Sequence, residues 1–181
     1  MFKYAKDISL LAQDIIKKYV GEFNVAVDCT LGNGHDTDFL SENFDRVYAF
    51  DIQKEAIENY KNKNVKNVCL INTSHENLKE NIKEKEIDCF MYNLGFLPGG
   101  NKDITTLPES SFNSLKEAIT LLKSGGIITL CLYIGHEQGK KEQQVLVPYL
   151  ESLDKSLYAV VMHDFINRSD FAPKLLVIEK K

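Results

Sequence analysis

Two acids, Asp28 and Asp51, each close an apolar run: Val25-Ala26-Val27 before the first, Val47-Tyr48-Ala49-Phe50 before the second. Just after Asp28 comes Gly32-Asn33-Gly34, leading into His35-Asp36-Thr37. A strand that stops at a Gly-x-Gly turn and restarts as a helix offers unpaired backbone N–H groups to an anionic ligand group. A second acid roughly 20 residues farther along stands where a carboxylate accepts ribose hydroxyls. Together these residues describe the binding of a nucleoside-type ligand. Asp28 narrows the choice, because a carboxylate at the end of the first run repels a pyrophosphate and attracts an ammonium. S-adenosylmethionine, whose methionine end carries both an ammonium and a carboxylate, is therefore favoured over a nicotinamide dinucleotide. The alternatives stay open here: Thr37 stands where the third glycine of the dinucleotide fingerprint would be, and Asp28 and Asp36 are also ordinary turn-capping residues.

A second group of residues suits a reacting end. Asn93-Leu94-Gly95-Phe96 follows the apolar run Ile87–Tyr92. A side-chain amide carbonyl there can accept a hydrogen bond from a protonated acceptor group, and Phe96 can stack on a base. Pro98 and Gly99, with Gly100, shape a substrate-facing loop. Tyr133 and His136 follow the next apolar run; Tyr133 is a candidate nucleoside contact and His136 a candidate base. An acceptor that is a primary alkylamine, with lysine at about 10.4 as its analogue, would be protonated at neutral pH, and a site for it must favour the neutral form. Ser74-His75 follows the third run and is either an adenine-edge contact or a helix cap. Asn93 has its own plain reading as a turn residue.

These residues must be held by alternating elements. Apolar spacing predicts helices over 7–20, 36–43, 54–62, 74–82, 108–122 and 141–153, and strands over 24–28, 46–51, 68–71, 87–92, 127–133, 158–165 and 174–178. Gly125-Gly126 is expected to turn the chain into the fifth strand, and 94–107 to be a long loop. Alternation of strand and helix implies a parallel sheet covered on both faces. The last two strands follow each other directly, which implies an antiparallel last strand. The expectation is an α/β fold with a doubly wound, mostly parallel seven-stranded sheet, the Rossmann-like class I methyltransferase variant.

The 181 residues favour one domain, 1–181. No run reaches the roughly 18 apolar residues of a membrane helix, and the first residues lack a signal peptide's apolar core, so a cytoplasmic protein without membrane contact is expected. The four cysteines, Cys29, Cys69, Cys89 and Cys131, make no Cys-x-x-Cys pair and are expected to be small buried residues; no metal is expected. A net charge of −4 argues against electrostatic gripping of long nucleic acid. The lysines at 54, 61, 63 and 66 and at 140 and 141 read as solvated faces.

Asp28-Cys-Thr-Leu-Gly-Asn-Gly-His-Asp-Thr37, Phe50-Asp-Ile-Gln53, Ser74-His75, Asn93 to Gly100 and Tyr133-Ile-Gly-His136 resemble a small bacterial family. It was first labelled as rRNA methylases and is now associated with methylating the wobble uridine of tRNA. The resemblance runs through nearly the whole chain. It implies S-adenosylmethionine as cofactor, and conversion of 5-aminomethyl-2-thiouridine to its methylaminomethyl form in the anticodon stem-loop. It also implies that Gly32, Asn33, Gly34, His35, Asp36 and Thr37 contact the cofactor, with Asp51 on the ribose and Gln53 beside it. A homodimer would enlarge the RNA-binding surface of so short a chain. A methyltransferase of rRNA or of a small amine is the runner-up.

Overall fold

A computed structural model describes residues 2–5, 7–96 and 105–181. The chain runs β1 (Val25–Asp28), β2 (Arg46–Phe50), β3 (Val68–Ile71), β4 (Ile87–Leu94), β5 (Leu122–Leu132), β6 (Tyr158–His163) and β7 (Lys174–Lys180). Its helices are α1 (Ile8–Tyr19), α2 (His35–Asn43), α3 (Lys54–Lys61), α4 (Leu78–Asn81), α5 (Pro108–Leu121) and α6 (Glu137–Glu151). The strands form one seven-stranded sheet of order β3-β2-β1-β4-β5-β7-β6. β1 to β5 are mutually parallel, and β7 runs antiparallel to both β5 and β6. This is the expected α/β, doubly wound sheet with its antiparallel strand.

The period-two pattern of the strands sorts two cores. Val27, Phe90, Tyr92, Leu94, Ile128, Leu130 and Leu132 face one side, where Leu78 of α4, Leu115 and Ala118 of α5, and Leu146 and Leu150 of α6 cover them. Ala26, Val47, Cys89, Met91, Ile127 and Cys131 face the other, under Ile8, Ala12 and Ile16 of α1 and Leu40 of α2. α1 starts where Asp7 accepts the Ser9 N–H at 2.9 Å, a side-chain cap on an otherwise orphan donor. α3 packs Ala56 and Tyr60 against Leu31 and Ala49.

The structure departs from the sequence reading in several places. β4 continues through Asn93 and Leu94, because β5 supplies partners as far as Leu132; Asn93 pairs in register with Cys131 and is a strand residue, not a loop residue. β5 begins at Leu122, and Gly125-Gly126 lies inside it. The ladder shifts there from Ile87↔Leu122 to Cys89↔Ile127, and Gly125 takes φ +77°, so the glycines absorb an irregularity instead of opening the strand. α6 starts at Glu137, earlier than expected, because His136 caps it. The 74–82 helix is a 3₁₀ turn, His75–Asn77, followed by the single turn of α4. Three cysteines are buried, whereas Cys69 is exposed on the edge strand β3. No helix among the described residues is long and apolar enough to cross a membrane.

Candidate active site

The strand order reverses between β1 and β4, and open α/β sheets bind ligands at that crevice, outside the C-terminal strand ends. Asp28 ends β1 there, fully buried. Its Oδ1 accepts the Thr30 N–H at 3.0 Å, and its Oδ2 accepts the Thr37 hydroxyl at 2.5 Å. Burial first, and then the Asp36 charge, push its pKa up to about 7, against the lowering pull of the bonds from Thr37 and Thr30. Among the described residues, no cation acts on it. A buried carboxyl braced by neutral donors is suited to an incoming ammonium.

The turn that follows is built for close approach. Gly32 and Gly34 have φ of +51° and +80°, where side chains are strained. A Cβ on Gly34 would sit 2.3 Å from the Tyr60 ring, so α3 closes that side. Asn33 and His35 are exposed at the turn and at the first residue of α2. Asp51 is fixed from both sides, its Oδ2 accepting the Gly32 N–H at 2.9 Å and its Oδ1 the Gln53 N–H at 2.8 Å. Each oxygen keeps a further lone pair for a hydroxyl donor. Burial raises the Asp51 pKa, offset by these two backbone bonds. Gln53 itself precedes α3.

The site divides the expected contacts. Asp28, Gly32, Asn33, Gly34, Asp51 and Gln53 gather at the turn. Thr37 faces Asp28 and serves as its brace. Asp36 turns away, toward the reacting end. Ser74 is a cap, its Oγ accepting the Glu76 N–H at 3.3 Å. His75 is buried edge-on to Tyr92, with ring centroids 5.9 Å apart, and burial lowers its pKa to about 4. Its imidazole is therefore neutral and packed, not a titrating group.

Beside Asn93, Asp36 accepts three hydrogen bonds. The Ser9 hydroxyl donates to Oδ1 at 2.7 Å, Gln13 Nε2 donates to Oδ1 at 2.6 Å, and Asn93 Nδ2 donates to Oδ2. The Asn93 carbonyl oxygen then faces Tyr133, whose hydroxyl donates to it at 3.3 Å. The backbone N–H of Asn93 donates to Thr30 Oγ1 at 2.8 Å, tying the two halves of the site together. Burial raises the Tyr133 pKa, keeping the phenol a donor. His136 Nδ1 accepts the Gly139 N–H at 3.2 Å, which requires a lone pair on Nδ1 and leaves the ring proton on Nε2. His136 packs against Phe96 with centroids 5.5 Å apart, and Gly95, at φ +152°, lies between Tyr133 and His136. Pro98 and Gly99 lie outside the described residues.

Ser9, Gln13 and Thr30 were missed from the sequence. Ser9 and Gln13 did carry a signal: two polar residues four apart inside the apolar stripe of α1. No group of three or more His, Cys, Asp and Glu side chains that could hold a metal occurs among the described residues.

The sequence profile of the family described as "Putative rRNA methylase" matches residues 47–179. The tRNA (mnm(5)s(2)U34)-methyltransferase, chloroplastic, of Arabidopsis thaliana is 32% identical over 97% of this chain and 70% of its own length. A solved structure from Clostridium thermocellum, described as a "putative rRNA-methylase", superposes with a TM-score of 0.91 at 38% identity, over 97% of this chain and 98% of that one. A "putative methyltransferase" from Streptococcus mutans in complex with SAH superposes at 0.88 with 31% identity, over 97% and 99%. A buried carboxyl at the end of β1, an anchored acid after β2 and a glycine turn between them fit the cofactor of such enzymes, and the chain belongs to this rRNA methylase family as an S-adenosylmethionine-dependent methyltransferase.

Proposed function

We propose that the chain N-methylates the 5-aminomethyl group of 2-thiouridine at the tRNA wobble position, giving 5-methylaminomethyl-2-thiouridine. The observation that carries this reading is the amide of Asn93, held by Asp36 so that a carbonyl oxygen faces the acceptor side. The name of the Arabidopsis relative supplies the particular amine.

Asp28 would hold the cofactor's ammonium, directly or through water, Asp51 its ribose hydroxyls, and the turn from Gly32 to Gly34 with the start of α2 its carboxylate. When bound, S-adenosylmethionine supplies a methyl group on a cationic sulfur. Asn93 Oδ1 accepts an N–H of the acceptor amine and aims its lone pair. His136, whose Nδ1 accepts the Gly139 N–H and whose ring packs on Phe96, shapes the wall beside Gly95 and Tyr133. Phe96 offers a ring face to the base.

The test is nucleoside mass spectrometry of tRNA methylated in vitro and of tRNA from cells lacking the gene. The methylaminomethyl nucleoside should appear in the first and its aminomethyl precursor should accumulate in the second. No transfer to tRNA bearing the aminomethyl group overturns the substrate. The net charge of −4 favours a small amine as the second reading, and the same assay with free alkylamines separates the two. Asn93→Ala should lower transfer far more than cofactor affinity.

A further inference from the structure

We propose that residues 164–173, between β6 and β7, form with Lys140 a stacking platform for the unpaired bases of an RNA loop beside the methyl-transfer site. This rests on the RNA reading above but is tested separately from it. The placement follows from register. Lys174 pairs with Leu132 and His163 pairs with Leu175, so the loop leaves the sheet at the edge where β4 and β5 deliver Asn93 and Tyr133. A Cβ on Gly135 would lie 3.9 Å from the Phe171 carbonyl oxygen, which puts the loop against the Tyr133–His136 segment.

The segment is longer than its connection needs. Two antiparallel neighbours are usually joined by about 2–5 residues. The surplus holds apolar groups in water: Ile166 is fully exposed and Phe171 is 56% exposed. Two rings carry cations on their faces. Lys140 Nζ lies 4.5 Å from the centre of the Phe171 ring, and the Arg168 guanidinium lies 3.7 Å from that of Phe165. Tyr4, also exposed, reaches the same edge, its hydroxyl 3.3 Å from His163 Nδ1.

Rings paired with cations at a strand edge suit bases next to phosphates. The charge balance says which part of the RNA. Lys174 is engaged by Asp164, so Lys140 and Arg168 are the platform's cations toward phosphate, with the exposed Asp170 in the same loop setting two as the upper bound. Two cations give a salt slope of about −1.4 at roughly 0.7 per neutralised phosphate of a single strand. That is too weak to grip a duplex and sufficient beside aromatic stacking. Binding should therefore depend on unpaired bases more than on ionic strength.

The experiment measures anisotropy of a labelled RNA hairpin with the anticodon-loop sequence, and of a blunt RNA duplex, on the full chain. The hairpin should bind on the order of tenfold or more tighter than the duplex. Phe171→Ala should weaken it on the order of tenfold, and Arg168→Ala should flatten the salt slope by about 0.7. S-adenosylhomocysteine affinity should not move in either variant, which shows that the fold is kept. Equal hairpin and duplex binding, unchanged hairpin affinity in Phe171→Ala, or loss of self-association in place of RNA binding would each overturn the platform. A wild-type protein that binds the hairpin through Phe171 but transfers no methyl group to tRNA leaves the platform standing and removes the proposed substrate.

Discussion

Asp36→Asn is the perturbation that most directly tests how the reacting end is organised. In the native site a carboxylate can only accept, so Asn93 must turn its Nδ2 toward Asp36 and its carbonyl toward Tyr133. An asparagine at 36 keeps the shape and one acceptor for Ser9 and Gln13. It places its own N–H₂ against Asn93, whose amide then gains by flipping. The flip presents N–H donors where an amine needs an acceptor. One lost hydrogen bond and an opposed donor cost about 1.5–3 kcal/mol, which at 1.36 kcal/mol per decade is a fall in kcat of roughly 10- to 100-fold. The affinity for S-adenosylhomocysteine, read by calorimetry well above pH 7, should stay within about threefold, because Asp51 is untouched and Asp28, whose pKa falls when the Asp36 charge is removed, is already ionised there. Asn93→Asp alone opposes two carboxylates and should be similarly poor. The exchange Asp36→Asn with Asn93→Asp restores a donor facing an acceptor and a free oxygen toward the substrate. It should recover at least about tenfold in kcat over Asp36→Asn. Simple additivity of the two losses would refute the orienting role, as would a large loss of cofactor affinity with kcat unchanged, which would make Asp36 a cofactor contact.

Other outcomes follow from the cofactor side. Asp51→Ala should weaken S-adenosylhomocysteine by at least about tenfold in calorimetry while leaving the melting temperature close to native, and equal affinity would remove the ribose assignment. Because the Asp28 pKa is raised to about 7, the ligand-free protein holds a proton that an ammonium-bearing ligand expels. Affinity should therefore climb with pH up to about 7 and level off above it, with proton release visible in buffers of different ionisation enthalpy, and Asp28→Asn should abolish the slope. The same raised pKa binds protons more tightly in the folded state than in the unfolded one. Asp28 thus lowers stability as pH rises from about 4 to about 7, and Asp28→Asn should remove that part of the decline in urea midpoints. Gly34→Ala, with φ +80° and the Tyr60 ring 2.3 Å from a Cβ, should cost roughly 1–3 kcal/mol in urea unfolding; an unchanged midpoint would contradict the close packing.

The alternation of strands and helices was legible because each apolar run had its own period and its own punctuation, as with Asp7 at the start of α1. The acids were legible for a similar reason: a charge that ends an apolar run has few structural excuses. What stayed hidden was direction. Sequence adjacency put Asp36 and Thr37 with the cofactor turn, but successive residues at a helix start point to different sides, and the two part toward Asn93 and Asp28. Ser74-His75 reads in the sequence as an adenine-edge contact or a cap; Ser74 does cap the 3₁₀ turn, and His75 packs on Tyr92. Ser9 and Gln13 come from a distant stretch of chain, so only the packing of α1 against the sheet reveals them. Gly125-Gly126 looked like a turn because a glycine pair does not say whether the surrounding ladder continues.

The insertion of β7 between β5 and β6 also governs the order in which the molecule can be completed during synthesis. β6 leaves the ribosome before the strand that will join it to the sheet. Until β7 arrives, β5 shows an open edge and β6 has no ladder at all. Domains begin to form from the N-terminal side as the chain emerges at about 5–20 residues per second. The turn around Asp28 and Asp51 can therefore organise early, from elements that are neighbours in the chain. The face beside Tyr133 must wait for the seventh strand. A nascent chain should gain the ability to bind its nucleoside cofactor before it can seat an acceptor, and a chaperone that guards an exposed strand would find its target in that interval.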